Sequence, residues 1–246
     1  GGSSSNIGFS APDADGRLQG VDADLARALA IAIFGDASKL AFNTSFSGIL
    51  PSLEGVANGR VDIMLRATTA NLYRDGVFGV DFSDSYLQTG LRILTRTSLG
   101  VSRIDQLNGS SIGVIAGTTA AQGIRLALAK TGAAARILSY DSASQLYQAF
   151  IAGEVEAIAR DGALLAGFQN QLQSLDNPFP TTLLSSTLSY EPLAVAVDEN
   201  QSRLLDLINA VIAILQKAAE LDVSSDRSEE HTSELQSRQY LVCRLL

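Results

Sequence analysis

The strongest constraint on this chain is a pattern that occurs twice. Gly59-Arg60-Val61-Asp62 leads into an apolar run, Ile63-Met64-Leu65, that ends at Arg66-Ala67-Thr68-Thr69 and, a turn later, Arg74. Further along, Gly153-Glu154-Val155-Glu156 leads into Ala157-Ile158-Ala159 and ends at Arg160-Asp161. Each copy reads as a short buried strand entered from a glycine turn and finished by polar groups, so two similar half-domains are expected. The first copy ends in hydroxyls and a guanidinium, the second in a carboxylate. Opposite charges at strand ends suit a small zwitterion held between two lobes. A free amino acid is the ligand they point to.

Length and charge narrow the classes. With 246 residues the chain can bury one large or two small cores. Its net charge of −8 leaves no electrostatic footprint for nucleic acid. Apolar residues make up 46% of it, yet no apolar run approaches the roughly 18 residues of a membrane span. The longest candidate, Leu25 to Phe34, is broken by Arg27 and reads as a helix buried on one face.

Both ends are set apart. Arg227-Ser228-Glu229-Glu230-His231-Thr232-Ser233-Glu234-Leu235-Gln236-Ser237-Arg238 resembles the translation of a common sequencing-library adapter, and residues 227–246 are read as non-native. The single His (His231) and single Cys (Cys243) both lie there. Residues 1–226 then carry no Ser-His-Asp triad, Cys nucleophile or His/Cys zinc site. No metal or cofactor is expected. Gly1-Gly2-Ser3-Ser4-Ser5 offers neither an initiator Met nor a charged-then-apolar leader, so the chain is read as a fragment.

Between these ends, strands and helices alternate. Val21 to Phe34 is a helix with Asp22 as a candidate cap and Gly35 as its stop; Leu25, Leu29 and Ile33 share a face. Phe46 to Asn58 is a second helix, with Pro51 in its first turn. Strand Val61–Arg66, a short turn through Arg74, strand Val80–Ser83 and a half-exposed strand Leu91–Arg96 follow. Strand Ser111–Ile115 then hands over at Gly117-Thr118-Thr119 to a helix reaching about Lys130. Strand 135–138, helix 142–152, strand 155–160 and helix 162–172 complete a β-α-β-α run. Pro192–Val197 is a last strand and Gln201–Leu221 an amphipathic helix with Leu204, Leu205, Ile208, Ile212 and Leu215 inward. The expectation is an α/β fold of two lobes, each a mostly parallel sheet flanked by helices. Residues 1–90 with 190–226 form the first lobe and 91–189 the second. Extended segments near 88–96 and 186–193 form a two-segment hinge.

Four signals fall at or just beyond strand ends. Arg74 follows Thr68 and Thr69, and its planar fork of donors matches a carboxylate; the plainer role is a surface pair with Asp75 or Asp81. Arg66 ends an apolar strand and needs a partner or an exit to solvent. Thr119 opens a helix whose first amides can meet an anion, and its plainer role is the helix cap. Asp161 is the natural acceptor for an ammonium, and its plainer role is the N-cap of the helix from Gly162. Phe46 and Tyr190 could stack on a ligand, while six Tyr, nine Phe and no Trp make a sugar site unfavoured.

At these residues the chain resembles the periplasmic solute-binding proteins of polar amino acid ABC transporters, of the family 3, type II kind, and most of all the general L-amino acid-binding proteins. The matching stretches are Gly8–Asp13, Gly20–Ala28, Arg66–Thr69 through Arg74-Asp75, Val80–Ser83, Ser98–Val101, Gly117–Thr119 and Glu191–Leu193. The resemblance implies that Arg74 grips the ligand α-carboxylate with Thr69 and the Thr119 backbone, and that Asp161 takes the α-ammonium. Thr68 and Arg66 would line the pocket, Arg66 reading an acidic or polar side chain. It also implies a periplasmic monomer that closes like a flytrap and delivers its ligand to an inner-membrane ABC permease, with no catalysis. Val21, Ala67 and Ala70 depart from the family pattern, as do a missing opening strand and an end near Asp226. Two alternatives stay open: a cyclohexadienyl or arogenate dehydratase-like enzyme on the same fold, and the sensing domain of a receptor.

Overall fold

Apolar strands in this chain are short, and helices cover them. The computed structural model describes residues 1–223, so the 227–246 tail with His231 and Cys243 lies outside the described residues. The first part contains a small hairpin, β1 (Ala11–Pro12) with β2 (Leu18–Gln19), then α1 (Val21–Phe34), α2 (Ile49–Ala57), β3 (Ile63–Met64), α3 (Leu72–Phe78), β4 (Val80–Phe82) and β5 (Leu87–Thr89). The middle contains β6 (Leu91–Arg96), β7 (Ser111–Ile115), α4 (Thr119–Thr131), β8 (Arg136–Tyr140), α5 (Ala143–Ala152), β9 (Ala157–Asp161), α6 (Gly162–Gln173) and β10 (Thr181–Leu183). The chain returns through β11 (Glu191–Leu193) and β12 (Ala196–Asp198) to α7 (Ser202–Glu220). Among the described residues, no helix is long and apolar enough to cross a membrane.

The α/β class and the two-lobed plan hold. The sheets, however, are mixed rather than mostly parallel. In the five-stranded sheet β10-β6-β9-β7-β8, only β7–β8 and β7–β9 are parallel. Parallel neighbours need a crossover, and the β7-α4-β8-α5-β9 stretch supplies two helical ones. β6 and β10 pair antiparallel instead. In the three-stranded sheet, β12 runs antiparallel to both β3 and β4.

Strand alternation gives the larger sheet two covered faces. Leu91, Ile93, Ile112, Val114, Ala157 and Ala159 pack with Ile124 and Leu128 of α4 on one face. Leu94 and Ile158 pack on the other, with Leu146 and Phe150 of α5 and Leu165 and Phe168 of α6. The smaller sheet is covered by α1 and α7, through Leu25, Leu29, Val197, Ile208 and Ile212, and by α2, through Leu53 and Val56. Leu204, Leu205 and Leu215 are partly buried against that core, whereas Ile33 is exposed.

The crossing between the two parts is a pair of antiparallel strands, with Thr89 opposite Glu191 and Leu87 opposite Leu193. Gly90 lies beside this crossing, where a Cβ would come within 2.2 Å of the Ser189 carbonyl oxygen. Only glycine lets the two segments pass that closely.

Several element ends differ from expectation for local reasons. The second helix begins at Ile49 after Gly48, which leaves Phe46 ahead of it. Strand 61–66 shortens to Ile63–Met64, and what reads as a turn through Arg74 is helix α3, capped by the Asn71 side chain. Leu91–Arg96 is largely buried, being sandwiched by helices. The stretch Pro192–Val197 is two strands, one in the crossing and one in the small sheet.

Candidate functional site

A cavity of about 400 Å³ opens between the two parts. One wall carries Asn6, Phe46, Arg66, Thr69 and Arg74; the other carries Thr119, Ser142, Arg160 and Asp161; Glu191 enters from the crossing. The volume falls within the range of small-molecule sites.

The first wall is positioned by a carboxylate in the wrong place for a cap. Asp22 was the expected cap of α1, but Gly20 holds that position and Asp22 turns inward, fully buried. It accepts the Ala67 amide at 2.9 Å and the Tyr86 hydroxyl at 2.7 Å. Ala67 has φ 46°, a left-handed conformation that a non-glycine residue adopts only when held. The Asp22 contact holds it, and so aims Arg66 and Thr69 on either side. Burial pushes the Asp22 carboxyl up to about 6, against the two hydrogen bonds it accepts.

Arg74 is only 4% exposed and makes no ion pair with Asp75 or Asp81. Its Nη1 donates to the Thr69 carbonyl at 2.7 Å. Burial lowers its pKa, and the nearby Glu191 charge raises it. Thr118, not Thr119, caps α4, accepting from the Ala121 amide. That frees the Thr119 hydroxyl, which donates to Glu191 Oε2 at 2.9 Å. Thr69 donates to the same oxygen at 2.5 Å, and Ser189 donates to Oε1 at 2.8 Å. Thr69 and Thr119 are thus joined across the cavity by a carboxylate from the crossing, itself only 6% exposed.

Asp161 is different. Its Oδ1 accepts from Thr89 Oγ1 at 3.0 Å and from the Ala163 and Leu164 amides, so it caps α6. Its Oδ2 is buried at the cavity and has no hydrogen-bond partner. Burial pushes this carboxyl up to about 6, with Glu191 adding to the rise. A buried carboxylate oxygen with an unmet acceptor is costly unless a donor arrives.

Arg66 Nη1 donates to the backbone oxygens of Gly2 and Phe46, at 3.0 and 3.1 Å, and to Ser52 Oγ. Phe46 is buried as a wall, its ring packed over Gly55 and under Arg60. Tyr190 is 73% exposed and is not a cavity wall. Thr68 is fully buried behind the cavity, its carbonyl paired with the Ala194 amide, and it does not line the cavity either. Of the eight residues named from sequence, six therefore meet at one cavity: Phe46, Arg66, Thr69, Arg74, Thr119 and Asp161.

Three residues were missed: Asn6, Arg160 and Glu191. Arg160 sits directly before Asp161, and its charge inside an apolar strand was the available signal. Glu191 belongs to a matching stretch but is next to its partners only in space, 122 residues from Thr69 and 72 from Thr119.

This fold and cavity define a class. Residues 1–227 match the bacterial extracellular solute-binding proteins, family 3, and the chain belongs to that family. Among curated relatives it is 25% identical over 91% of its length to a putative amino-acid ABC transporter-binding protein of Escherichia coli K12. It is 26% identical over the same share to a general L-amino acid-binding periplasmic protein of Rhizobium johnstonii. The chain spans 64% of the length of each of these. Among solved structures, a Brucella ovis ABC transporter periplasmic binding protein with glutathione bound superimposes with a TM-score of 0.86. It is 26% identical, covering all of this chain and 74% of that one.

Proposed function

We propose that this chain is a periplasmic receptor that captures a free amino acid between its lobes and passes it to an ABC importer. The lobes are residues 1–90 with 190–226 and residues 91–189. The observation that carries this reading is the unpaired acceptor on Asp161: a buried, unpartnered Oδ2 on a cavity-lining residue calls for a cationic donor, and an α-ammonium supplies one. Arg74 and the first amides of α4 at Thr119 take the α-carboxylate, since helix N-termini and guanidinium groups both favour anions. Glu191 competes with that carboxylate for Thr69, Thr119 and Arg74 until the ligand displaces it. Phe46 walls the side-chain region and Thr68 supports the turn from behind. Relatives named for amino acid binding support the reading. The receptor acts as a monomer, without a cofactor.

A thermal-shift screen against the twenty free amino acids, with prephenate and arogenate alongside, tests this. A ligand bound only by the folded state raises the melting temperature. Stabilisation by at least one amino acid, and its loss in Asp161→Asn, is the expected result. A folded sample that responds to prephenate but to no amino acid would favour the enzyme.

A further inference from the structure

Arg160 is 7% exposed and lines the same cavity as Arg66. Its Nη1 donates to the Tyr147 hydroxyl at 2.5 Å, and the guanidinium lies 5.3 Å from that ring's centre. Its Nη2 donates to Asn6 Oδ1 at 3.2 Å, while Asn6 Nδ2 reaches the Arg66 carbonyl at 3.5 Å. One amide side chain thus ties the two arginines together across the cleft. Both are supported entirely by neutral acceptors. Among the described residues, neither has a carboxylate within ion-pairing distance. They feel each other as well: after burial, the Arg160 charge is what lowers the Arg66 pKa.

A buried and a half-buried guanidinium that share a cavity, with no acid paired to either, are unfavourable on their own. A bound anion reverses that cost. The cavity's other charges narrow the anion further. Arg74 is balanced by Glu191, and Asp161 awaits an ammonium, whereas Asp141 is exposed at the rim. What remains uncompensated in the interior is the Arg66–Arg160 pair. An uncharged side chain would leave both arginines as they are.

We infer that Arg66 and Arg160, tied together by Asn6, form a second anion subsite that selects amino-acid ligands carrying a distal carboxylate. This deepens the receptor reading and rests on it. The shared chemistry is an α-amino acid head with a second carboxylate beyond it, which a free acidic amino acid and a γ-glutamyl peptide both possess.

Calorimetric titration of the full chain with L-glutamate, L-glutamine and γ-glutamylglycine decides the matter. Glutamate and glutamine differ in little but the charge that the subsite would read. Preference for glutamate over glutamine by about 10- to 100-fold is expected for a charge-assisted contact. Tighter binding of γ-glutamylglycine than glutamate would assign the subsite to a peptide; the reverse would assign it to the free amino acid. Arg160→Gln should remove most of the preference for glutamate over glutamine, and Arg66→Gln should act in the same direction. Should Arg160→Gln fail to fold, the preference of the parent protein still decides. Equal or tighter binding of glutamine overturns the subsite but leaves the receptor reading standing. Binding of neither γ-glutamylglycine nor any of the twenty amino acids overturns both.

Discussion

The two ends of the cavity are built on opposite principles. At Asp161 the fold leaves a polar atom unsatisfied: Oδ1 is fully engaged as the cap of α6, but Oδ2 has no partner. At Arg74 the fold supplies partners from within the chain: the guanidinium donates to the Thr69 carbonyl, and Glu191 occupies the hydroxyls of Thr69 and Thr119. One end waits for a ligand group, whereas the other already holds a stand-in for one. On the proposed receptor reading, a ligand ammonium would gain a new contact, while a ligand carboxylate would exchange with an existing one. The difference teaches that binding strength should come mainly from the acceptor end, and that substitutions at the two ends should be told apart by what they do to stability.

The largest expected effect is on Asp161→Asn. Asn also caps helices well, so α6 should keep its start and the melting temperature should hold or rise. The ligand ammonium would lose its charged partner while still being buried. Affinity should then fall about 150- to 4000-fold, since breaking a buried charge pair costs about 3–5 kcal/mol. Titration calorimetry alongside a melt reads both. By contrast, Arg74→Gln should weaken binding and also destabilise the unliganded protein by about 1–3 kcal/mol, because Glu191 loses its cationic neighbour. Equal stability losses in the two variants would erase the distinction between the ends.

A smaller effect concerns pH. Asp22 and Asp161 both titrate near 6 in the folded protein, raised by burial from an ordinary value near 3.8. A raised carboxyl binds its proton more tightly when folded. Its contribution to stability is complete below about pH 3.8 and is lost as pH rises through about 6. Tyr86 faces Asp22, and Glu191 and Thr89 face Asp161. Ligand affinity should move the other way, because an ammonium needs Asp161 ionised. Below pH 6 it should fall, approaching tenfold per unit. Melts and titrations at pH 7.5 and pH 5 should therefore cross, and parallel trends would contradict the role of Asp161.

The smallest effect sharpens the other end. Glu191→Gln removes the internal competitor at Arg74, so affinity for a carboxylate-bearing ligand should rise several-fold in the same titration. A marked loss instead would make Glu191 a direct acceptor of the ligand ammonium.

The sequence showed what is local. Val21–Phe34 with Gly35, and Asp161 ahead of α6, announce themselves through spacing and capping chemistry. For Asp161 the two roles weighed against each other are compatible, since each carboxylate oxygen takes one position. What the sequence hid depends on long-range contact. Asp22 reads as a cap because its place in the first turn is visible, whereas Tyr86 and Ala67, its true partners, are distant in the chain. Glu191 was hidden for the same reason. The parallel sheet was overestimated because strand order, unlike strand identity, leaves no local trace.

The most direct single measurement is calorimetric titration of the full chain with L-glutamate and with glutarate, which keeps both carboxylates and lacks the amine. Binding of glutamate with no detectable binding of glutarate is the result expected if the vacant oxygen of Asp161 receives the ligand ammonium. Comparable affinities for the two would show that the cavity recognises carboxylates alone and would contradict that role.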